Sequence, residues 1–522
     1  MRSDHIEWRN CAVILLLSMF VGGAALHARP VDFNDPPQGL FFDDYMVAEM
    51  MGSKVGYIQV QLSREGDVIH TSALTAMTLA RNTAPVSINE MESSTETIDG
   101  RPLEFTSQME ASFQKLQKHG VISDGKVKVS SGQYGEGIVN TFDFPAGALM
   151  TWGTFLAQQK HGYKQGTEYD LTAYVPAIAT DTAVTMHVVV HEKEKIDVDG
   201  QKVEAVRTTQ VLKLPGMPMG INSTVWVDDD GQIIKNITSM MGMDMIMTRA
   251  TREQALADFS PPEFFAPTTI DAGRRLDRKA ANRIDFVLAP IKDAFPLTVP
   301  PQTGMQTVTD QADGKIHLTV KRIDCEPLRT IEPQKFGKEF EETLTANAMI
   351  NCDDPVVVAM AKEAKGDATM PYEIADRLRK YVTTAITDKN LDVGFATASE
   401  VCRNRAGDCS EHAVLLAALG RACGIPTRVA TGLVYVPYFG GQDNVFGFHM
   451  WTQFRIGDRW VDFDAAQRES DCNPTHIAFS VDSLHSAGLG QIAFGLANVI
   501  GNLDLKIAGI EPDQQPMTQP TE

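Results

Sequence analysis

The chain has no excess of positive charge. Its 522 residues include 47 lysines and arginines against 67 aspartates and glutamates, which leaves a formal net charge of −20 at pH 7. Such a protein repels phosphate backbones and anionic lipid, so we expect no nucleic-acid partner and no electrostatic attachment to a membrane. A protein or peptide substrate is compatible with this charge. Glycine and proline are not enriched, and the length predicts two to four globular domains.

Long hydrophobic runs are absent after the N-terminal segment. That segment combines a weakly basic leader, Arg2 and Arg9, with an apolar stretch and small residues around Ala25 and Ala28. The pattern is typical of an export signal, and residues 11–28 also approach the length of a membrane tether. We therefore expect residues 1–28 to be a signal peptide or N-terminal anchor, and the rest to be extracytoplasmic, either periplasmic or secreted.

Cysteine is scarce, at seven residues, and Cys11 belongs to the N-terminal segment. In an oxidising compartment some of the remaining six would pair. Their connectivity cannot be deduced from spacing. We expect Cys423 to be a buried thiol on the apolar face of a helix. The six are Cys325, Cys352, Cys402, Cys409, Cys423 and Cys472.

Residues 30–270 are predicted to form a β-rich domain. Polar and apolar residues alternate in runs such as 55–62 and 184–190. Period-two alternation with Asp-Gly turns predicts an antiparallel meander, and a single large curved sheet accommodates it. The methionines from Met241 to Met247 recur at the strand period, which favours a core strand over a copper(I) site. The Asp-Gly pairs lie at residues 99–100, 124–125, 199–200 and 230–231.

The periodicity becomes helical after residue 354. Before it, residues 271–350 are predicted to be a linker with transition strands, including 316–323. Residues 351–511 are predicted to form a mixed domain, and residues 512–522 a disordered tail. The mixed domain has three predicted helices: residues 371–384, a short helix opened by a Thr397 capping box, and a main helix from Cys409 to Gly424. The predicted strands of this domain cover 428–436, 449–456, 459–464 and 503–510.

Cys409 lies where that main helix begins, directly after Gly407 and Asp408. The free N–H groups and the positive dipole end of a helix favour an anion, and the thiolate is the nucleophilic form of cysteine. His449 and Asp464 follow on two strands joined by a tight hairpin, so we expect them to lie side by side. Cys409, His449 and Asp464 are the predicted catalytic residues, and the backbone N–H of Cys409 is a candidate oxyanion donor.

Other assignments of these residues stay open. Asp462 lies two residues before Asp464 and is predicted to point to the same face of its strand. His412 and His476 are further candidate bases, each more readily explained as packing beside the site. A zinc site is a further alternative, although its spacings match no standard ligand pattern. Its ligands would be Cys402, Cys409, His412 and Cys472.

Five sequence blocks occur in order at residues 397–401 (TASEV), 407–412 (GDCSEH), 421–428 (RACGIPTR), 449–451 (HMW) and 460–464 (WVDFD). Together they closely resemble the transglutaminase-like superfamily. The resemblance covers about residues 350–510 and implies a papain-like α+β domain. It further implies that Cys409 is the nucleophile, His449 the general base and Asp464 the orienting acid. We expect no cofactor. Residues 30–270 look like the β-rich regions that precede such domains in exported bacterial proteins.

Two positions depart from the family pattern. Met450 follows the histidine where a small residue is usual, and Ala465-Ala466 replaces Pro-Thr after the aspartate. These departures concern the substrate pocket and leave the three predicted catalytic residues in place.

The resemblance implies a thiol enzyme that forms a cysteinyl thioester with a peptide or carboxamide carbonyl. Transfer of the acyl group to water makes it a peptidase or amidase, which is the commoner activity among bacterial relatives. Transfer to an amine makes it a cross-linking transglutaminase. No Asp-x-Asp-x-Asp-Gly calcium loop lies near the site, which disfavours calcium-activated cross-linking. A catalytically inactive binding or assembly protein is the alternative from another class.

Overall fold

The computed structural model describes two compact units. One comprises Met1–Ala80 and Pro85–Pro262, and the other comprises Arg81–Ala84 and Glu263–Glu522. The predicted signal or anchor at residues 1–28 lies outside the described residues. The described residues are 32–33, 35–81, 84–111, 114–133, 138–213, 220–240, 243–263, 268–291, 297–312, 314–347, 349–388, 396–439, 441–467, 473–484, 499 and 501–512.

The first unit contains one sheet of fourteen strands among its described residues, in the order β8-β7-β6-β5-β4-β3-β2-β1-β14-β13-β12-β11-β10-β9. The strand pairings assigned in it are antiparallel, as predicted. The strands are β1 (Gly39–Met50), β2 (Ser53–Glu65), β3 (Val68–Arg81), β4 (Ala84–Thr97), β5 (Pro102–Ala111), β6 (Gln114–Ser123), β7 (Lys126–Gln133), β8 (Ile138–Asp143), β9 (Glu168–Ala173), β10 (Val184–Val198), β11 (Gln201–Lys213), β12 (Ile221–Val227), β13 (Ile233–Met240) and β14 (Met243–Ala250).

Each predicted Asp-Gly turn joins two neighbouring strands of this sheet. Asp124 and Asp199 have φ angles of 52° and 51°, and the glycines after them are also left-handed. That backbone matches the twist of a tight hairpin, which explains why Asp-Gly occurs there. Met245 and Met247 are buried, as predicted for a core strand, whereas Met241 lies outside the described residues.

In the described part of this unit, two helices accompany the sheet, α1 (Thr151–His161) and α2 (Arg252–Leu256). The buried carboxylate of Glu96 accepts hydrogen bonds of 2.8 Å from the backbone N–H groups of Trp152 and Gly153, in the first turn of α1. A carboxylate placed there compensates the unpaired N–H groups and the dipole of the helix.

The second unit contains helices packed on a central sheet. That sheet has the order β15-β20-β19-β22, with β21 paired to β20, and a second sheet has the order β17-β18-β16-β23. The helices are α3 (Glu341–Leu344), α4 (Pro355–Lys365), α5 (Pro371–Ala385), α6 (Ala398–Asn404) and α7 (Cys409–Ala422). The strands are β15 (Ile270–Asp271), β16 (Ala281–Pro290), β17 (Gln306–Ala312), β18 (Lys315–Lys321), β19 (Thr427–Phe439), β20 (Gln442–Ile456), β21 (Arg459–Phe463), β22 (His476–Asp482) and β23 (Leu503–Pro512).

The central sheet lies between the helices and the second sheet. Met450 and Phe454 belong to the apolar cluster formed with the helices, whereas Trp451 and Phe446 belong to the cluster shared with the second sheet. Helix α7 packs against α4, α5 and α6 and against β19 and β20, and its residues from Ser410 to Arg421 are buried. The chain is therefore α+β, and α7 lies at the centre of this unit.

The structure corrects several of the sequence predictions in this unit. Strand β18 lies where the sequence predicts the transition strand 316–323, but β16, β17 and β18 form a sheet with β23 and are not a linker. Pro512, assigned to the tail, ends β23 by pairing with Ala281, whereas residues 513–522 lie outside the described residues. Cys423 is the C-terminal cap of α7; it packs against the apolar cluster of the helices but is half-buried and not buried.

The described cysteines are free thiols, so the expected disulfides are not found among them. Cys11 and Cys472 lie outside the described residues. Burial raises the pKa of the half-buried Cys423 thiol. In the part of the chain that is described, no helix combines the length and apolarity needed to cross a membrane.

We expect Gly432→Ala to destabilise the second unit by about 1–3 kcal/mol, because a Cβ there would overlap the Ile477 carbonyl of neighbouring strand β22. Gly447→Ala is the matched control, since it lies in strand β20 and its Cβ would meet no atom within 4 Å. Thermal unfolding should show a lower midpoint for the first variant alone. Equal midpoints would contradict this account of the packing.

Candidate active site

The N-terminus of α7 presents Cys409, as the sequence predicts. Asp408 caps the helix, with its Oδ1 accepting from the backbone N–H of Ser410 at 2.8 Å. Gly407 has a φ of 140°, and a Cβ there would clash with the side chain of Glu411. The tight Gly-Asp step therefore places a partly exposed thiol on the first helical turn, where backbone N–H groups favour negative charge.

Glu411 completes this cap, a role that the sequence analysis missed. Its carboxyl accepts from the backbone N–H of Asp408 at 2.9 Å and from that of Ala396 at 3.0 Å. Burial, followed by the charge of Asp408, raises the pKa of Glu411 to about 8. The Asp-x-x-Glu spacing of a capping box at residues 408–411 was the available signal.

His449 lies within β20 and not at its start, which corrects the predicted strand boundary. Its Nε2 is 2.7 Å from Oδ2 of Asp464, and its ring also forms a hydrogen bond with the Cys409 side chain. The imidazole therefore bridges the thiol and the carboxylate, which is the arrangement predicted from the sequence.

Asp464 follows directly after β21 and is 3% exposed. Its Oδ1 accepts from the backbone N–H groups of Ala466 at 2.9 Å and Gln467 at 3.1 Å. Its Oδ2 accepts from His449 and also from Nε2 of His476, at 3.1 Å. Four hydrogen bonds thus hold a buried carboxylate, which satisfies its lone pairs and compensates its charge.

The charges of these groups reinforce one another. Burial by itself lowers the pKa of His449, but the charge and hydrogen bond of Asp464, together with Cys409, raise it well above its usual value. Burial disfavours the charge on Asp464, but His449 and then His476 hold its pKa well below the usual range. An imidazolium between a carboxylate and a thiol is therefore favoured, as cysteine catalysis requires.

The rival carboxylate has a different role. Asp462 accepts from Trp451 Nε1 at 3.0 Å and from Gln453 Nε2 at 2.6 Å, so it fixes those β20 side chains. The structure thus places Asp464, and not Asp462, against His449.

The described residues of the alternative sets have other hydrogen-bond partners. His412 hydrogen-bonds through Nδ1 to the Asp408 carbonyl, and Cys402 hydrogen-bonds to Met360. Cys472, the fourth residue of the alternative zinc set, lies outside the described residues. His476 is the exception, because it contacts Asp464, and no spacing in the sequence revealed that contact.

A second metal-like grouping comprises His449, Asp464 and His476, whose nearest donor atoms lie within 4.8 Å of one another. The two nitrogen-to-oxygen distances, 2.7 Å and 3.1 Å, are those of N–H donors on a carboxylate oxygen. The hydrogen bonds already occupy the donor atoms that a metal would need, so the cluster is better described as a hydrogen-bonded charge network.

Comparison with solved structures gives several neighbours, and the three described next are 12–14% identical to this chain. A proposed cysteine protease from Cytophaga hutchinsonii (TM-score 0.30) covers 45% of this chain and 90% of its own, at 14% identity. The match to a β-barrel-like protein from Brucella abortus (TM-score 0.31, 14% identity) covers 41% of this chain and 94% of that protein. The match to a proposed protease from Parabacteroides distasonis (TM-score 0.17, 12% identity) covers 67% of this chain and 64% of that protein.

No curated protein gives a significant sequence match to the chain. The family model described as the transglutaminase-like superfamily core matches residues 358–465. That segment contains Cys409, His449 and Asp464, and it spans helices α5 to α7 and strands β19 to β21. Residues 358–465 of this chain are therefore a transglutaminase-like domain.

Proposed function

We propose that this protein is an extracytoplasmic thiol hydrolase, a peptidase or amidase that forms a thioester at Cys409. The observation that carries the proposal is the position of His449, which hydrogen-bonds both Cys409 and a buried, fully bonded Asp464. The export-like N-terminal sequence supports the location, and the net charge of −20 supports a neutral or basic peptide substrate.

The first half of the reaction forms the thioester. Because Nε2 of His449 donates to Asp464, Nδ1 is the nitrogen left to take the Cys409 proton. The sulfur attacks the substrate carbonyl carbon, and the C=O π pair moves to oxygen as an oxyanion. The Cys409 backbone N–H, at the helix N-terminus, is the proposed donor to that oxyanion. When the oxyanion collapses, the C–N bond breaks and the imidazolium gives its proton to the departing amine.

The second half transfers the acyl group. Water gives a proton to His449 as its oxygen attacks the thioester carbonyl, the C–S bond then breaks, and the proton returns to the sulfur. The products are a carboxylic acid and the free enzyme. An amine in place of water would give a new amide by the same steps, which is the cross-linking alternative.

We expect iodoacetamide to alkylate Cys409 at pH 6, because the imidazolium of His449 stabilises the thiolate. His449→Ala should slow this reaction by about tenfold or more, since each pH unit of lost thiolate costs a factor of ten. Mass spectrometry of the digested protein measures the modification of each cysteine peptide.

Cys423 is the internal control in the same digest, because burial raises its pKa and it should react slowly at that pH. Cys409→Ser should abolish the labelled peptide. If Cys409 labels only near pH 8.5 and is indifferent to His449, the domain is a binding or assembly scaffold and the proposed enzyme is excluded.

The rate of Cys409 alkylation by iodoacetamide, measured over the whole pH range, should show two rises as the pH increases. The first marks formation of the thiolate–imidazolium pair, and the second marks proton loss from His449. Because the pKa of His449 is raised, the second rise should lie well above pH 6.5. In Asp464→Asn burial remains while the charge of Asp464 is lost, so the second rise should move to lower pH. An unchanged second rise would show that Asp464 does not govern His449.

The acyl acceptor is tested with a peptide mixture and a fluorescent primary amine. We expect new carboxyl termini or ammonia release, with incorporation of the amine below one turnover in ten. Cys409→Ser should lower the rates of hydrolysis and of amine incorporation by about a thousandfold or more. Predominant incorporation of the amine would instead assign the cross-linking activity.

A further inference from the structure

We propose that His476 is a positively charged positioning residue, an imidazolium that shares the Asp464 carboxylate with His449 and thereby limits how strongly His449 retains its proton. The effect on catalysis rests on the proposed thiol chemistry, whereas the charge on His476 stands independently of it. Neither the family resemblance nor the family match assigns this residue a role.

The hydrogen bonds of His476 require two ring protons. Its Nε2 is 3.1 Å from Oδ2 of Asp464, and its Nδ1 is 3.2 Å from the carbonyl oxygen of Asn473. Both partners are acceptors only, and a neutral imidazole carries a single N–H group. One contact of a neutral ring would therefore set two lone pairs against each other. The imidazolium donates in both directions and satisfies both contacts.

Burial makes this argument stronger. The His476 side chain is 1% exposed, so water cannot replace a poor contact. A buried cation needs compensating negative charge, and Asp464 supplies it directly. Asp462 is a second carboxylate whose charge interacts with that of His476.

One more titratable group, the imidazole of His449, lies beside His476. The rings of His449 and His476 have centroids 5.9 Å apart. On the remaining sides the edge of Trp451 meets the ring at 5.2 Å between centroids, and Val434 pairs with His476 across β19 and β22. Among the described residues, the charged groups that face His476 are thus Asp464, Asp462 and His449.

Sharing one carboxylate oxygen between two imidazoles has a consequence for the reaction. A general acid works best when its proton is held neither too strongly nor too weakly. With His449 alone on Oδ2, the full field of Asp464 would act on its proton. The second positive charge opposes that field, so the proton passes more readily to the leaving amine. The resulting order of charges is thiolate, imidazolium, carboxylate, imidazolium.

The charge is tested by nitrogen NMR of the full chain with ¹⁵N-labelled histidine at pH 7.5. The chain has 12 histidines, and the signals missing from His476→Gln identify His476. We expect both of its ring nitrogens to have the shifts of protonated imidazolium nitrogens. One unprotonated ring nitrogen would overturn the proposal. His476→Asn provides the same identification if the glutamine variant does not fold.

The effect on His449 is tested by the alkylation profile of Cys409 with iodoacetamide. Glutamine keeps an N–H donor for Asp464 but removes the charge, so the second rise should move up by about one to two pH units. His476→Phe removes both the N–H donor to Asp464 and the positive charge, and it should also move the second rise to higher pH. His187→Gln, which removes a histidine from the first unit, is the control and should leave the profile unchanged.

A purely structural His476 would leave the second rise in place in the glutamine variant, and that result would overturn the proposed effect. The two proposals fail differently. A single rise near pH 8.5 in the wild-type protein would exclude the thiol enzyme, whereas the NMR spectrum would still decide the charge of His476.

Discussion

The site depends on one buried carboxylate. Asp464 accepts four hydrogen bonds, two from backbone N–H groups after β21 and two from imidazoles on β20 and β22. An uncompensated buried charge would be strongly destabilising, so the turn and both histidines must be in place together. The same contacts orient His449 toward Cys409. The hydrogen bonds to Asp464 thus stabilise this part of the domain and also orient the imidazole of His449.

The second constraint is the N-terminus of α7. The helix is buried from Ser410 to Arg421, which fixes its axis between the other helices and the central sheet. Asp408 and Glu411 close its first turn, and Glu411 also holds the backbone of Ala396. Cys409 is therefore a partly exposed group on a rigid support, which meets the geometric requirement for a nucleophile.

Local patterns predicted the elements well where local chemistry decides them. The Asp-Gly turns, the capping box at Thr397 and the start of α7 at Cys409 all lie where the sequence indicates, because backbone conformation and capping depend on adjacent residues. Errors occurred where a distant partner decides the outcome. Strand β16 pairs with β23, more than 200 residues later, and that pairing joins a predicted linker to a strand predicted within the C-terminal domain.

The sequence by itself determined the order of thiol, imidazole and carboxylate, and the nature of the elements that carry them, because a helix start and a hairpin are encoded in short segments. It left Asp462 and Asp464 as alternatives, and it left His476 as an unassigned histidine. Only the tertiary structure decided these points, since β22 reaches Asp464 by pairing with β19 across the central sheet. Hydrogen-bond partners of buried charged groups come from whichever strands meet there, and local sequence does not specify that meeting.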